Sequence, residues 1–231
     1  VSLDHLAPVI RAKLAAVFVA GSAAEASAQV GLDVDLFFLV DADCHQRQHL
    51  LLDVSTAIDI FVYPLSFAVA QLTPRGNSLM VRALASSEAI WDPRAILPAL
   101  AGKAIDLLSG PCEIAPEQRF MLQLRTRRLY LTLAGAEGTT TQVNYLFALL
   151  AHSIVAAHVV AGSRWSVGEK HAMLDLAAYR PNVARSIDNL LDTARPPQDR
   201  LAEAYNAIIA MLGEGTLSRS DLVGPLVGRD A

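Results

Sequence analysis

Three aspartates stand in apolar surroundings where a carboxylate is costly unless something meets it. Asp33 and Asp35 open the run Asp33-Val34-Asp35-Leu36-Phe37-Phe38, and Asp59 lies between Ile58 and Ile60. Side chains at i and i+2 of a strand share a face, so Asp33 and Asp35 lie side by side, and Asp59 joins them if its strand is a neighbour. Converging carboxylates repel, and burying them unpaired is expensive. Mg²⁺ relieves both problems, because it takes one or two carboxylates and completes its octahedron with waters and substrate phosphates. Two such ions about 4 Å apart clamp an in-line displacement at phosphorus, activating the attacking hydroxyl and neutralising the leaving pyrophosphate. Gly21-Ser22 supplies a second half-site: glycine lets backbone approach a phosphate, and the serine hydroxyl and following N–H groups donate to it.

These residues need strands to hold them. Leu14–Ala20 is apolar with β-branched and aromatic members and stops at Gly21-Ser22, which reads as a strand feeding a turn. Asp33–Val40 and Ile58–Tyr63 have the same character, and Glu88–Pro93 reads as a short last strand. Asp41–Ala57 is expected to be a helix or an extended loop. Beyond Leu108, Ser109-Gly110-Pro111 and Pro116 mark a boundary, after which helical periodicity takes over. Helices are expected near Glu117–Ala134, Thr141–Ala161, Val167–Ala178, Val183–Ala194 and Gln198–Leu212, with Gly213–Ala231 packing loosely. The expectation is an α+β chain: residues 1–108 form an α/β domain with a small mixed sheet, and residues 109–231 a helical bundle.

Gly-Ser, ten residues, Asp-x-Asp and a later single Asp on a strand resemble the signature of the polymerase-β-like nucleotidyltransferase superfamily. Gly21, Ser22, Asp33, Asp35 and Asp59 carry the resemblance, which covers about the first hundred residues. Ala26 stands where such motifs often have glycine, and Leu32 where they often have serine; neither change removes a metal ligand. With its helical second half, the chain resembles aminoglycoside and other small-molecule nucleotidyltransferases. The resemblance implies two Mg²⁺ ions on Asp33, Asp35 and Asp59, and ATP as donor of a nucleoside monophosphate, bound by Gly21 and Ser22. It implies a small hydroxylated acceptor, such as a cationic antibiotic, in the helical domain, with an acidic general base. Glu137 is the first candidate for that base and Glu113 the second. Lys170 resembles the lysine that contacts nucleotide phosphates near a helix start. A toxin–antitoxin-type enzyme acting on protein or tRNA, or a nucleotide-sensing module without turnover, are the alternatives.

Composition narrows the classes. Of the 231 residues 53% are hydrophobic, yet much of this is alanine, and the most apolar stretch, Tyr145–Gly162, is interrupted by His152, Ser153 and His158. It reads as a buried helix in a soluble, cytoplasmic protein without a membrane span or secretory signal. Net charge is −4, and residues 1–108 hold 7 basic against 11 acidic side chains, the wrong sign for tracking a nucleic acid. Cys44 and Cys112 lack CxxC spacing, so no zinc site or disulfide framework is indicated. His45 and His49 have helical i, i+4 spacing but no third ligand, and read as part of a solvated connecting helix. His152 and His158, about 240° apart around a helix, cannot share a metal; each reads as a core or interface histidine. Arg164 and His171 are loosely similar to the arginine–histidine pair of certain helical ribonucleases, without the polar residue expected beside the arginine. Arg125, Arg127 and Arg128 read as a solvated helix face. The chain is expected to be a monomer or homodimer.

Overall fold

Residues 13–21, 33–51, 57–167 and 169–212 are described by the computed structural model. They fall into two units, Val1–Cys112 and Glu113–Ala231. The fold is α+β, with strands and helices in the first unit and helices among the described residues of the second.

In the first unit, apolar runs rich in β-branched and aromatic residues form β1 (Leu14–Ala20), β2 (Asp33–Val40) and β4 (Ala57–Pro64), as such residues favour a pleated, buried surface. β3 (Gln46–Leu51) and β5 (Glu88–Trp91) complete a five-stranded mixed sheet in the order β3-β4-β2-β1-β5. β2 and β4 are parallel, and every other pairing is antiparallel. The chain therefore leaves β2, runs to the sheet edge as β3, and returns as β4 between them. This corrects the expectation of a helix or loop at residues 41–57. Gln46-Arg47-Gln48-His49 lacks the apolar alternation that announces a strand, and an edge position tolerates that polarity. His45 precedes the strand and His49 lies within it, so the helical spacing that joined them on one face does not exist. His45 instead meets Tyr63 and Phe67 edge-on, at centroid distances of 5.7 and 4.9 Å.

The sheet has two unlike faces. Leu36, Phe38, Ile58, Ile60 and Val62 lie in one core cluster. On the other face Phe18, Phe37 and Phe61 stack at 5.0 and 4.7 Å, and Tyr63 continues the ladder to Phe67 of helix α1 (Leu65–Ala70). Asp35 and Asp59 precede Phe37 and Phe61 by two residues, so strand alternation puts them on this aromatic face. Helix α2 (Ser78–Ala85) starts at Asn77, whose side chain accepts the Met80 N–H at 3.2 Å. Helix α3 (Leu97–Ser109), in a stretch left unassigned from sequence, is started by Asp92, whose carboxylate accepts the N–H groups of Ile96 and Leu97 at 3.0 and 2.8 Å.

The second unit contains α4 (Pro116–Ala134), α5 (Thr140–Ala161), α6 (Glu169–Tyr179), α7 (Pro181–Leu191) and α8 (Pro197–Leu212). Pro116, Pro181 and Pro197 are first residues of helices, where a missing N–H costs nothing. Thr139 and Gln142 close a capping box on α5. That helix is long and apolar enough to cross a membrane by length and composition, with mean hydropathy 1.7. Here Phe147, Leu150 and Ile154 from it are fully buried with Leu176, Ile187 and Leu190 in the core of the unit.

Thr126, Ser153 and Arg200 are buried polar residues of this unit with hydrogen-bond partners, while His158 bonds through Nε2 to the Ala207 carbonyl and leaves its buried Nδ1 without one. Thr126 and Ser153 hydroxyls share a 2.8 Å hydrogen bond between α4 and α5. Arg200, 3% exposed, donates to the Leu190 carbonyl and to Asn144 Oδ1, both at 2.7 Å, with its guanidinium 3.7 Å above the Phe147 ring. Burial lowers its pKa, opposed by Asp192. Glu203 ties α8 to α7 by accepting from Ser186, Asn189 and Arg195.

Candidate active site

The parallel pairing of β2 with β4 sets Asp35 directly opposite Asp59. Directly paired residues carry their side chains on one face with Cβ atoms about 5 Å apart. Both are half-buried. On the other side of β2, Asp35 pairs with Ala20, the last residue of β1, and the chain then turns at Gly21. Gly21 has φ +76°, a left-handed conformation that favours glycine. A Cβ placed there would lie 3.1 Å from Asp35 Oδ2, so the turn packs its backbone against that carboxylate. The Gly21 N–H donates to Ser86 Oγ at 3.4 Å, and the Ser86 hydroxyl donates to the Arg82 carbonyl at 3.0 Å. The end of α2 thereby braces the turn.

Of the residues singled out from sequence, Asp35, Asp59 and Gly21 are thus brought together. Asp33 opens β2 opposite Ala57; its side chain lies outside the described residues, as does the whole of Ser22. Glu137 and Glu113 are exposed residues of the second unit. Glu137 borders a shallow cavity of about 310 Å³ with Gln142 and Tyr145. Lys170 occupies the first turn of α6, its side chain outside the described set. Two positions not assigned to the site from sequence adjoin these residues, one through the Gly21 turn and one by strand register. Ser86 is one, and no local signal marks it. The other is His49, which pairs with Asp59 in the β3–β4 register; its polar strand gave no periodicity to read.

The donor set suits a hard cation. Among the described residues no group of three or more His, Cys, Asp or Glu side chains could hold a metal, and the pair Asp35–Asp59 offers oxygen alone. Two adjacent carboxylates fit Mg²⁺, which draws its remaining ligands from water and substrate.

The titrating groups with displaced pKa values serve structure. Arg164 holds its proton more firmly than usual because its Nη2 and Nε donate to the Asp175 carboxylate at 2.7 and 3.2 Å, and it covers Tyr179 at 4.5 Å. This engagement accounts for Arg164 without a partner histidine. His158, fully buried, is pushed below its ordinary pKa by burial, with the Arg180 charge acting the same way and the Ala207 carbonyl opposing. His152, by contrast, is exposed on α5.

No protein-family model matches the chain, and no curated protein matches it. Among solved structures the chain is similar to a nucleotidyltransferase-like protein from Exiguobacterium sibiricum, with TM-score 0.48 and 11% identity, over 87% of this chain and 69% of that one.

Proposed function

We propose that this chain is a Mg²⁺-dependent nucleotidyltransferase that moves AMP from ATP to a hydroxyl of a small molecule, with aminoglycoside-type antibiotics as the first acceptors to test. The observation that supports this most is the register pairing of Asp35 with Asp59 beside the left-handed Gly21 turn. In this reading Asp33, Asp35 and Asp59 hold the ions. Bound Mg²⁺ supplies charge neutralisation at the α-phosphate and the leaving pyrophosphate. The chain's own residues do the rest. Gly21 leaves room for a phosphate oxygen, and Ser22 donates its hydroxyl to it. Lys170 adds a positive charge to the triphosphate. The acceptor oxygen bonds to the α-phosphorus as the bond to pyrophosphate breaks, and its proton passes to Glu137.

The test is mass spectrometry of acceptor panels incubated with ATP and Mg²⁺, using the wild-type chain and the separate Asp35→Asn and Asp59→Asn variants. An acceptor gaining one AMP, with the rate falling roughly 100-fold or more in each variant, is the expected result. Folded variants that form the adduct at the wild-type rate would sink the proposal.

A further inference from the structure

Within the second unit, α5, α6 and α7 line an open cavity of about 390 Å³. Its floor is Ala151 and Ile187, both buried. Ala156 of α5 and Ala172 and Met173 of α6 form walls, half-buried. Four of its lining residues, Ala148, Ala151, Ala156 and Ala172, are alanines, whose short side chains fill little of the space between helices. Its mouth carries His152 and Ser166, both exposed. Among the described residues no Asp, Glu, Lys or Arg lines it.

We infer that this cavity is a binding site for an uncharged, mainly apolar small molecule with one hydrogen-bonding end. Three observations select that class. The volume falls within the range of small-molecule pockets, about 300–1,000 Å³. The described walls offer no counter-charge, so a polycation or a phosphate held against them would be desolvated without compensation. The polar groups lie at the mouth, so an apolar body enters while a donor or acceptor group remains at the rim beside the His152 imidazole. Met173 adds an unbranched, polarizable wall that adapts to the shape of what it covers. The inference does not depend on nucleotidyl transfer, since every lining residue belongs to the helical unit.

The test is a fluorescence titration of the full chain with N-phenyl-1-naphthylamine, an uncharged aromatic amine, beside spermidine as a competing polycation. Saturable binding of one probe per chain, unaffected by spermidine, is expected. Ala156→Leu fills the cavity from α5 and Ala172→Leu from the opposite wall. Each should weaken binding at least tenfold without lowering the melting temperature, whereas Leu174→Ala, on an exposed residue outside the lining, should leave binding unchanged. Absence of saturable binding by the folded wild type, displacement by spermidine, or wild-type affinity in a folded filled variant would overturn the inference. If one filled variant fails to fold, the other decides.

Discussion

Replacing Gly21 by alanine separates the turn's geometry from its composition. At φ +76° an L side chain is strained by about 1–2 kcal/mol. Reduced freedom of the unfolded chain returns about 0.4–1 kcal/mol, leaving a net loss of about 1 kcal/mol. The new methyl would also sit 3.1 Å from Asp35 Oδ2, so the carboxylate must give way by a few tenths of an ångström. Under the proposed function Asp35 is a ligand of Mg²⁺, which demands near-ideal octahedral geometry, so its displacement should cost more in activity than in stability. The same substitution at Gly102 is the control: that residue is inside α3, and a Cβ there meets nothing within 4 Å. Gly102→Ala should stabilise by roughly 0.5–1 kcal/mol through helix propensity alone. Trp91 in β5 reports on the sheet by fluorescence once Trp165 is replaced by phenylalanine. For a unit of this size about 1 kcal/mol corresponds to 4–8 °C in melting temperature. Gly21→Ala should therefore melt lower and Gly102→Ala higher, and only Gly21→Ala should lose the proposed Mg²⁺-dependent AMP transfer, by about tenfold or more. A Gly21→Ala protein that melts and turns over like wild type would refute the left-handed turn and its packing on Asp35.

Two further predictions concern the helical unit. The folded pKa of His158 lies below its ordinary value near 6.5, so between these values the unfolded chain binds the extra proton. Stability is therefore fully present above about pH 6.5 and falls as pH drops from there toward the folded pKa. Urea unfolding followed by the helical signal between pH 7.5 and 5 should show this slope, and His158→Gln should flatten it; an unchanged slope would remove His158 as its source. Arg200→Met leaves the Leu190 carbonyl and Asn144 without their donor, at a cost of about 2–4 kcal/mol in urea unfolding. Arg200→Lys should recover only part of this, because an ammonium cannot reproduce the guanidinium fork over Phe147; full recovery would show that charge alone matters.

Apolar runs and helical periodicity were enough to place β1, β2, β4 and the helices after residue 115, because burial on one face leaves its period in the chain. Asp33, Asp35 and Asp59 were conspicuous for the same reason, as charges inside runs that should be buried. The strand Gln46–Leu51 was hidden because an edge strand need not alternate. The helix Leu97–Ser109 was missed beside it, although Asp92 was there to cap it. Nothing in the sequence could say that β4 returns beside β2. That pairing is non-local, and it alone makes Asp35 and Asp59 neighbours. The left-handed turn of Gly21 against a carboxylate, the burial of His158 but not His152, and the cavity between three helices likewise depend on which surfaces meet. The residue types capable of chemistry were determined by the sequence; their adjacency was decided by strand order and helix packing, which bring together residues far apart in the chain.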